Sequence, residues 1–150
     1  MKTRTGRVIY RTFSLSILFT IMFLIFLLSH QSADDSSQTS GFLTRLISLL
    51  LGANVPDGLI RATAHFIEYG ALGFLMNNAF FSFKKKGYIA LPALLSIIYG
   101  ISDEIHQYFI PGRAFQLIDI LLDSVGVIAG VFVFYLIAKI YERKNSQANP

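Results

Sequence analysis

Residues 102–113 read SDEIHQYFIPGR, and they place Asp103, Glu104, His106 and Gln107 within five positions of one another. Carboxyl and imidazole groups are the side chains best suited to moving protons. Two further segments carry the same types: His65 and Glu68 in HFIEYGALGFL, and Asp119 and Asp123 in DILLDSVGVIAG. His65/Glu68 and Asp103/His106 are spaced i, i+3, and Asp103/Gln107 and Asp119/Asp123 are spaced i, i+4. On helices each set shares a face. His65, Glu68, Asp103, Glu104, His106 and Asp119 are therefore the candidates for acid–base work, with Tyr69, Gln107, Arg113 and Asp123 as candidates for holding a substrate.

The elements that must position these groups follow from composition. Of 150 residues, 53% are hydrophobic and only 15% charged, too apolar for an ordinary water-soluble domain. Four stretches, about 8–29, 59–83, 88–110 and 116–138, approach the 20 or so residues a helix needs to cross a bilayer. Lipid offers an open backbone no partner, and four short spans cannot close a barrel. The expected fold is an all-α integral membrane domain of four helices over residues 1–150, with a short tail at 139–150. A cleaved leader also begins basic and apolar. However, the run from Phe13 to Leu28 exceeds a usual signal core, and Gln31-Ser32-Ala33 makes a poor cleavage site, so a retained first span is expected.

Lys and Arg set the orientation. Lys2, Arg4, Arg7 and Arg11 precede the first span, Lys84, Lys85 and Lys86 separate the second and third, and Lys139, Arg143 and Lys144 follow the fourth. Only Arg45, Arg61 and Arg113 fall on the other side, which predicts both termini in the cytoplasm and the 30–58 loop and Pro111-Gly112-Arg113 turn outside. The net charge of +4 is thereby explained by topology, and its division among membrane flanks speaks against a nucleic-acid partner. With no cysteine, there is neither a disulfide framework nor a thiolate ligand.

In the long outer loop, SHQSADDSSQTS reads as irregular polar chain. GFLTRLISLLLG places Thr44, Arg45 and Ser48 on one side of a short helix, expected in the outer interface or across the bundle mouth. Counting about 1.5 Å per residue, His65, Glu68, Asp103, His106, Asp119 and Asp123 all lie about 5 to 14 Å below the outer surface. Three helices thus build one ionisable layer in the outer half, and a shared polar interior follows. Carboxylates left in lipid would cost about 2.5 to 3.5 kcal/mol each near the centre, so they must face one another or water. Five acids meet Arg61, Arg113 and at most two protonated histidines, which calls for protonated carboxyls or a resident cation.

HFIEYGALGFL, SDEIHQYFIPGR and DILLDSVGVIAG, with SHQS after the first span, resemble the VanZ-like membrane proteins, named for a member linked to teicoplanin resistance. The resemblance runs from the first span to the fourth. It places His65, Glu68, Tyr69, Asp103, Glu104, His106, Gln107, Pro111, Gly112, Arg113, Asp119, Gly126 and Gly130 on family motif positions; where this chain has Asp123 the family often has Asn. It implies an envelope role and altered susceptibility to glycopeptide antibiotics.

Three readings of the layer stay open. One is an outward-facing membrane hydrolase or transferase acting on a phospholipid or lipid-linked envelope precursor, with His and carboxylate handling protons and Arg113 binding an anionic head. A divalent metal on His65, Glu68, His106 and Asp119 is a variant of it, although His-Phe-Ile-Glu is not the zinc-hydrolase signature. The second is a binding or transport module, for which transport by four helices would require a homo-oligomer. The third is a purely structural network, in which Gly126-x-x-x-Gly130 packs helices closely.

Overall fold

The computed structural model describes residues 3–148 as five helices and no strand. They are α1 (Arg4–Ser29), α2 (Ala33–Leu51), α3 (Asp57–Lys84), α4 (Ala90–Tyr108) and α5 (Leu117–Ala148). Four of these coincide with the expected spans to within a few residues, except that α5 runs on to Ala148 where a separate tail at 139–150 was expected. Nothing in Ala138-Lys139-Ile140-Tyr141-Glu142 breaks a helix, so the ladder continues past the apolar stretch.

The largest difference lies at residues 33–40, expected as irregular chain and found as the first two turns of α2. Ser32 caps the helix, its hydroxyl accepting from the Asp35 amide at 3.2 Å, and Asp34 and Asp35 complement the positive end of the dipole. Gly52, in the left-handed region at φ 63°, ends it. The serines that read as loop formers are thus a cap followed by a polar helix face.

Two helices, α1 and the Leu117–Ser146 part of α5, are long and apolar enough to cross a membrane. At about 1.5 Å per residue, α3 and α4 also reach about 42 and 28 Å, but polar residues facing other helices dilute their apolar character. Large side chains such as Phe19, Phe23, Ile98, Leu121 and Ile128 stay exposed along the outer faces of α1, α4 and α5, whereas α3 carries no exposed residue from Glu68 to Ser82. Continuous apolar exposure of this kind marks a surface made for a non-aqueous or protein neighbour.

The tightest pairing joins α3 to α5, which run parallel. Glycines allow it: a Cβ at Gly73 would come within 2.5 Å of the Val127 carbonyl oxygen, one at Gly126 within 2.5 Å of the Phe66 oxygen, and one at Gly130 would overlap the Gly70 carbonyl. The small-residue motif is therefore a backbone-to-backbone contact, the usual means of close helix association in lipid. Tyr69, Leu72, Met76, Val127 and Val131 form the core around it, with Leu18 and Ile25 from α1. Toward the lysine-rich end, the buried Asn77 amide donates to the Tyr88 and Val131 carbonyls at 2.7 and 3.0 Å and accepts from the Tyr88 amide at 3.2 Å. Tyr10 donates to Asn78 at 2.6 Å, and Asn78 donates to Ser14 at 3.2 Å, fastening antiparallel α1 to α3.

Gly130→Ala is expected to lower stability by about 1 to 3 kcal/mol, because the added methyl can be accommodated only by parting α3 from α5. Gly41→Ala, where nothing lies within 4 Å of the new carbon, should leave stability unchanged or raise it by up to about 1 kcal/mol through helix propensity. Equilibrium unfolding in mixed micelles reads both.

Candidate functional site

Polar residues of α3 meet those of α4 on one side and those of α5 on the other, at the end of the bundle opposite the lysine triplet, but Asp119 and Asp123 of α5 border neither polar cavity there. Their organiser is Asp103. Its buried Oδ2 accepts from the Ser29 hydroxyl at 2.6 Å, the Tyr69 hydroxyl at 3.0 Å and the Gln107 amide at 3.0 Å, joining α1, α3 and α4 at one oxygen. A carboxylate with three donors needs no cation to be stable in an apolar interior.

Gln107 extends the network by accepting from Arg113 Nη1 at 2.7 Å. The remainder of that guanidinium donates to the Gln31 and Leu28 carbonyls at 3.0 and 3.4 Å. Pro111 and Gly112 place it there: Gly112 takes φ 77°, and the Pro111 carbonyl accepts from the Ala33 amide at 3.3 Å. Burial and the facing Arg61 cation pull the Arg113 pKa below the usual guanidinium value, while Asp103, Glu104 and Asp119 oppose them. Arg113 is thus foremost a clamp, with three of its N–H donors spent on protein acceptors and two left over.

A second chain of contacts runs between parallel α3 and α5. Arg61 meets Asp119 at 3.3 Å, and His65 Nδ1 meets Asp123 Oδ1 at 3.0 Å, so equal four-residue steps on both helices form a ladder. Asp119 and Asp123 share a helix face, and each has its own basic partner. An ionised Asp123 can only accept, which puts the imidazole proton on Nδ1 and leaves Nε2 for the cavity.

Between these two sets lies a cavity of about 200 Å³. His65, Glu68, Tyr69, Asp103, Gln107 and Arg113 all border it, as the sequence led one to expect. Ser36, Thr39, Ser40 and Leu43 of α2 close its side, one helical face at i, i+3, i+4, i+7. Of this face only Leu43 belongs to the short outer helix expected at residues 41–52; Ser36, Thr39 and Ser40 lie in the stretch expected as irregular chain. An adjoining polar chamber of about 170 Å³ shares Ser36, Ser40, Arg61 and Arg113. Glu68 stands apart from the other acids: among the described residues it forms no ion pair, and none of the cavity's hydrogen bonds ends on it.

Two candidates lie elsewhere. Glu104 is completely buried between α4 and α5, where one oxygen accepts from the Gln116 amide at 3.3 Å and the other has no partner among the described residues. His106 Nε2 lies 3.1 Å from His30 Nδ1, and at the flank of α1 the His30 ring stacks with Phe26 while the His106 ring lies tilted against it. The geometry of a helix explains the split: Gln107 stays within about 40° of Asp103 around the axis, whereas His106 is rotated about 60° the other way. The proposed ligands His65, Glu68, His106 and Asp119 consequently do not converge, and among the described residues no three His, Asp or Glu side chains form a metal-binding group.

A family model described as VanZ/LLP1 matches residues 14–138, from the third turn of α1 into the second half of α5. The chain belongs to the VanZ/LLP1 family. No curated protein and no solved structure matches it. The matched region of this VanZ/LLP1 chain contains every residue of the cavity and both halves of its polar network. Ser29, Gln31 and the α2 hydroxyls were not singled out by residue chemistry, since serine near a helix end reads first as a cap. SHQS carried the only hint, through the family resemblance. Arg61 had a further signal, sitting four residues before His65 as Asp119 sits four before Asp123.

Asp103→Ala leaves three buried donors without an acceptor and is expected to cost about 2 kcal/mol or more, while Tyr69→Phe removes one bond and should cost about 0.6 to 1 kcal/mol. Unfolding in mixed micelles distinguishes this hub from a site residue, whose loss would spare stability.

Proposed function

We propose that this VanZ/LLP1 chain is a four-span protein of the cell membrane. Its pocket faces the extracytoplasmic side, receives the anionic head of a lipid-linked envelope component, and carries out acid–base chemistry there. The observation that carries the reading is the pairing of His65 and Glu68. They stand one turn apart on α3 and border the same cavity, His65 oriented by Asp123 and Glu68 without an ion-pair partner among the described residues. An imidazole held by a carboxylate, next to an unengaged carboxyl, is the equipment for taking one proton and giving another.

The reaction class that fits is hydrolysis, or transfer to a hydroxyl acceptor, at an ester or phosphoester of an amphiphile. His65 Nε2 removes the proton as the attacking oxygen bonds to the acyl or phosphoryl centre. The bond to the leaving oxygen breaks, and that oxygen takes the Glu68 proton. Arg61, with the unspent donors of Arg113, balances the charge of the head group from the adjoining chamber. Asp103 and Glu104 take positioning roles, and His106 has none in this step.

A cavity of about 200 Å³ is below the usual range of about 300 to 1,000 Å³ for small-molecule sites. It suits a head group whose tail remains in lipid and is far too small for a glycopeptide. An effect on teicoplanin susceptibility therefore runs through the envelope component. The engagement of Asp103 by three protein donors, which withdraws that carboxyl from proton transfer, favours a second reading, a module that binds the head group without turning it over.

His65→Gln and Glu68→Gln decide between them. Catalysis predicts loss of lipid turnover by about 100-fold or more with head-group binding retained, measured by mass spectrometry of the lipids of expressing cells. A binding module predicts a fall in step with affinity. If both folded variants leave lipid composition and teicoplanin susceptibility unchanged, the pocket has neither role.

The topology has its own test, made simple by the absence of cysteine. Single substitutions Ser37→Cys and Ala114→Cys should react with an impermeant thiol reagent from outside intact cells, and Lys86→Cys should react only after permeabilisation. Labelling of Lys86→Cys from outside would invert the arrangement.

A further inference from the structure

At the other end of the bundle, α1 and α3 border an apolar groove of about 550 Å³. Leu15 and Leu18 form one wall, and Met76, Ala79 and Phe80 form the other. This volume falls within the range of about 300 to 1,000 Å³ typical of ligand sites, and the groove shares no residue with the polar cavity.

Its rim is cationic. Arg11 and Lys84 stand at the mouth. The Arg11 guanidinium lies 4.9 Å above the Phe83 ring, with Nε donating to the Ser82 carbonyl at 3.3 Å, which fixes the group and leaves its Nη donors unspent on that carbonyl. Beside it, the Lys85 ammonium sits 4.5 Å above the Tyr10 ring. Burial, then the charges of Arg11 and Arg7, hold the Lys85 pKa below the ordinary lysine value, a sign of crowded like charges. Among the described residues none of Arg7, Arg11, Lys84 and Lys85 forms an ion pair.

Positive charges packed this closely around an apolar slot suit one kind of occupant. A second copy of the chain would bring the same cations to the same place, and an apolar partner helix would leave them unanswered. We propose that the α1–α3 groove is a site for one anionic phospholipid, its phosphate held by Arg11 and Lys84 and one acyl chain laid between Leu18 and Met76. Guanidinium and ammonium donors bind phosphate oxygens directly, and juxtamembrane cations favour anionic lipid.

The chain has no tryptophan, so Phe83→Trp supplies a single emitter at the mouth and preserves the aromatic face under Arg11. The full-length protein is placed in phosphatidylcholine vesicles in which about one lipid in ten is brominated phosphatidylglycerol or, in the parallel arm, brominated phosphatidylcholine. Binding predicts roughly threefold or greater excess quenching by phosphatidylglycerol, abolished by Arg11→Gln with Lys84→Gln and unrelieved by millimolar inorganic phosphate. Native mass spectrometry of the unsubstituted chain reads the same contrast without a reporter, as a retained phosphatidylglycerol adduct that the double variant loses. Equal quenching by the two lipids, an excess that survives in the double variant, or displacement by free phosphate would each overturn the proposal.

Discussion

The close approach of α3 to α5 is the constraint on which the remaining geometry depends. Gly70, Gly73, Gly126 and Gly130 remove the side chains that would hold the two backbones apart. The helices are parallel but not consecutive, so α4 has to return along the bundle before α5 can take its place beside α3. Once the glycines set the distance and register, the rest of the ladder follows at helical repeat: Val131 against Asn77 on one side, Asp123 against His65 and Asp119 against Arg61 on the other. A register slip of one residue would carry both carboxylates about 100° around α5 and leave Arg61 and His65 without them.

Polar groups in this bundle divide into those that hold it and those that remain to act. Asp103 gathers donors from three helices, the Asn77 amide is fully used, and Arg113 spends most of its fork on carbonyls. Each is a hydrogen-bonded tie in a core where a stray polar group would be costly. Less is left over: a carboxyl on Glu68, one ring nitrogen on His65, one oxygen each on Glu104 and Asp123, and the free donors of two arginines. An ionisable layer of this kind is architecture for most of its extent.

Much of this was legible in the sequence, because lipid-length apolar runs and helical spacing are strong signals. The four long helices, the small-residue contact, and the convergence of His65, Glu68, Asp103 and Gln107 all follow from period and length. Local cues failed where capping and rotation decide. Ser32-Ala33-Asp34-Asp35 reads as a turn, yet serine and aspartate are also what a helix start requires, and α2 begins there. His106 and Gln107 are neighbours that differ by one residue, which is enough to send one ring to the flank and one amide to the hub. Glu104 is a candidate by type and by its family motif position; its burial against Gln116 is tertiary information that no spacing rule contains.

The grip of Arg113 on the carbonyls of Leu28 and Gln31 has a bearing on how the chain is built. The Leu28 oxygen also accepts from the nearby Gln31 amide, but the partner of the Gln31 oxygen, at the joint between α1 and α2, is made more than eighty residues later. That bond cannot form until the turn before α5 has emerged from the ribosome. One joint near the front of the chain is thus completed from the back.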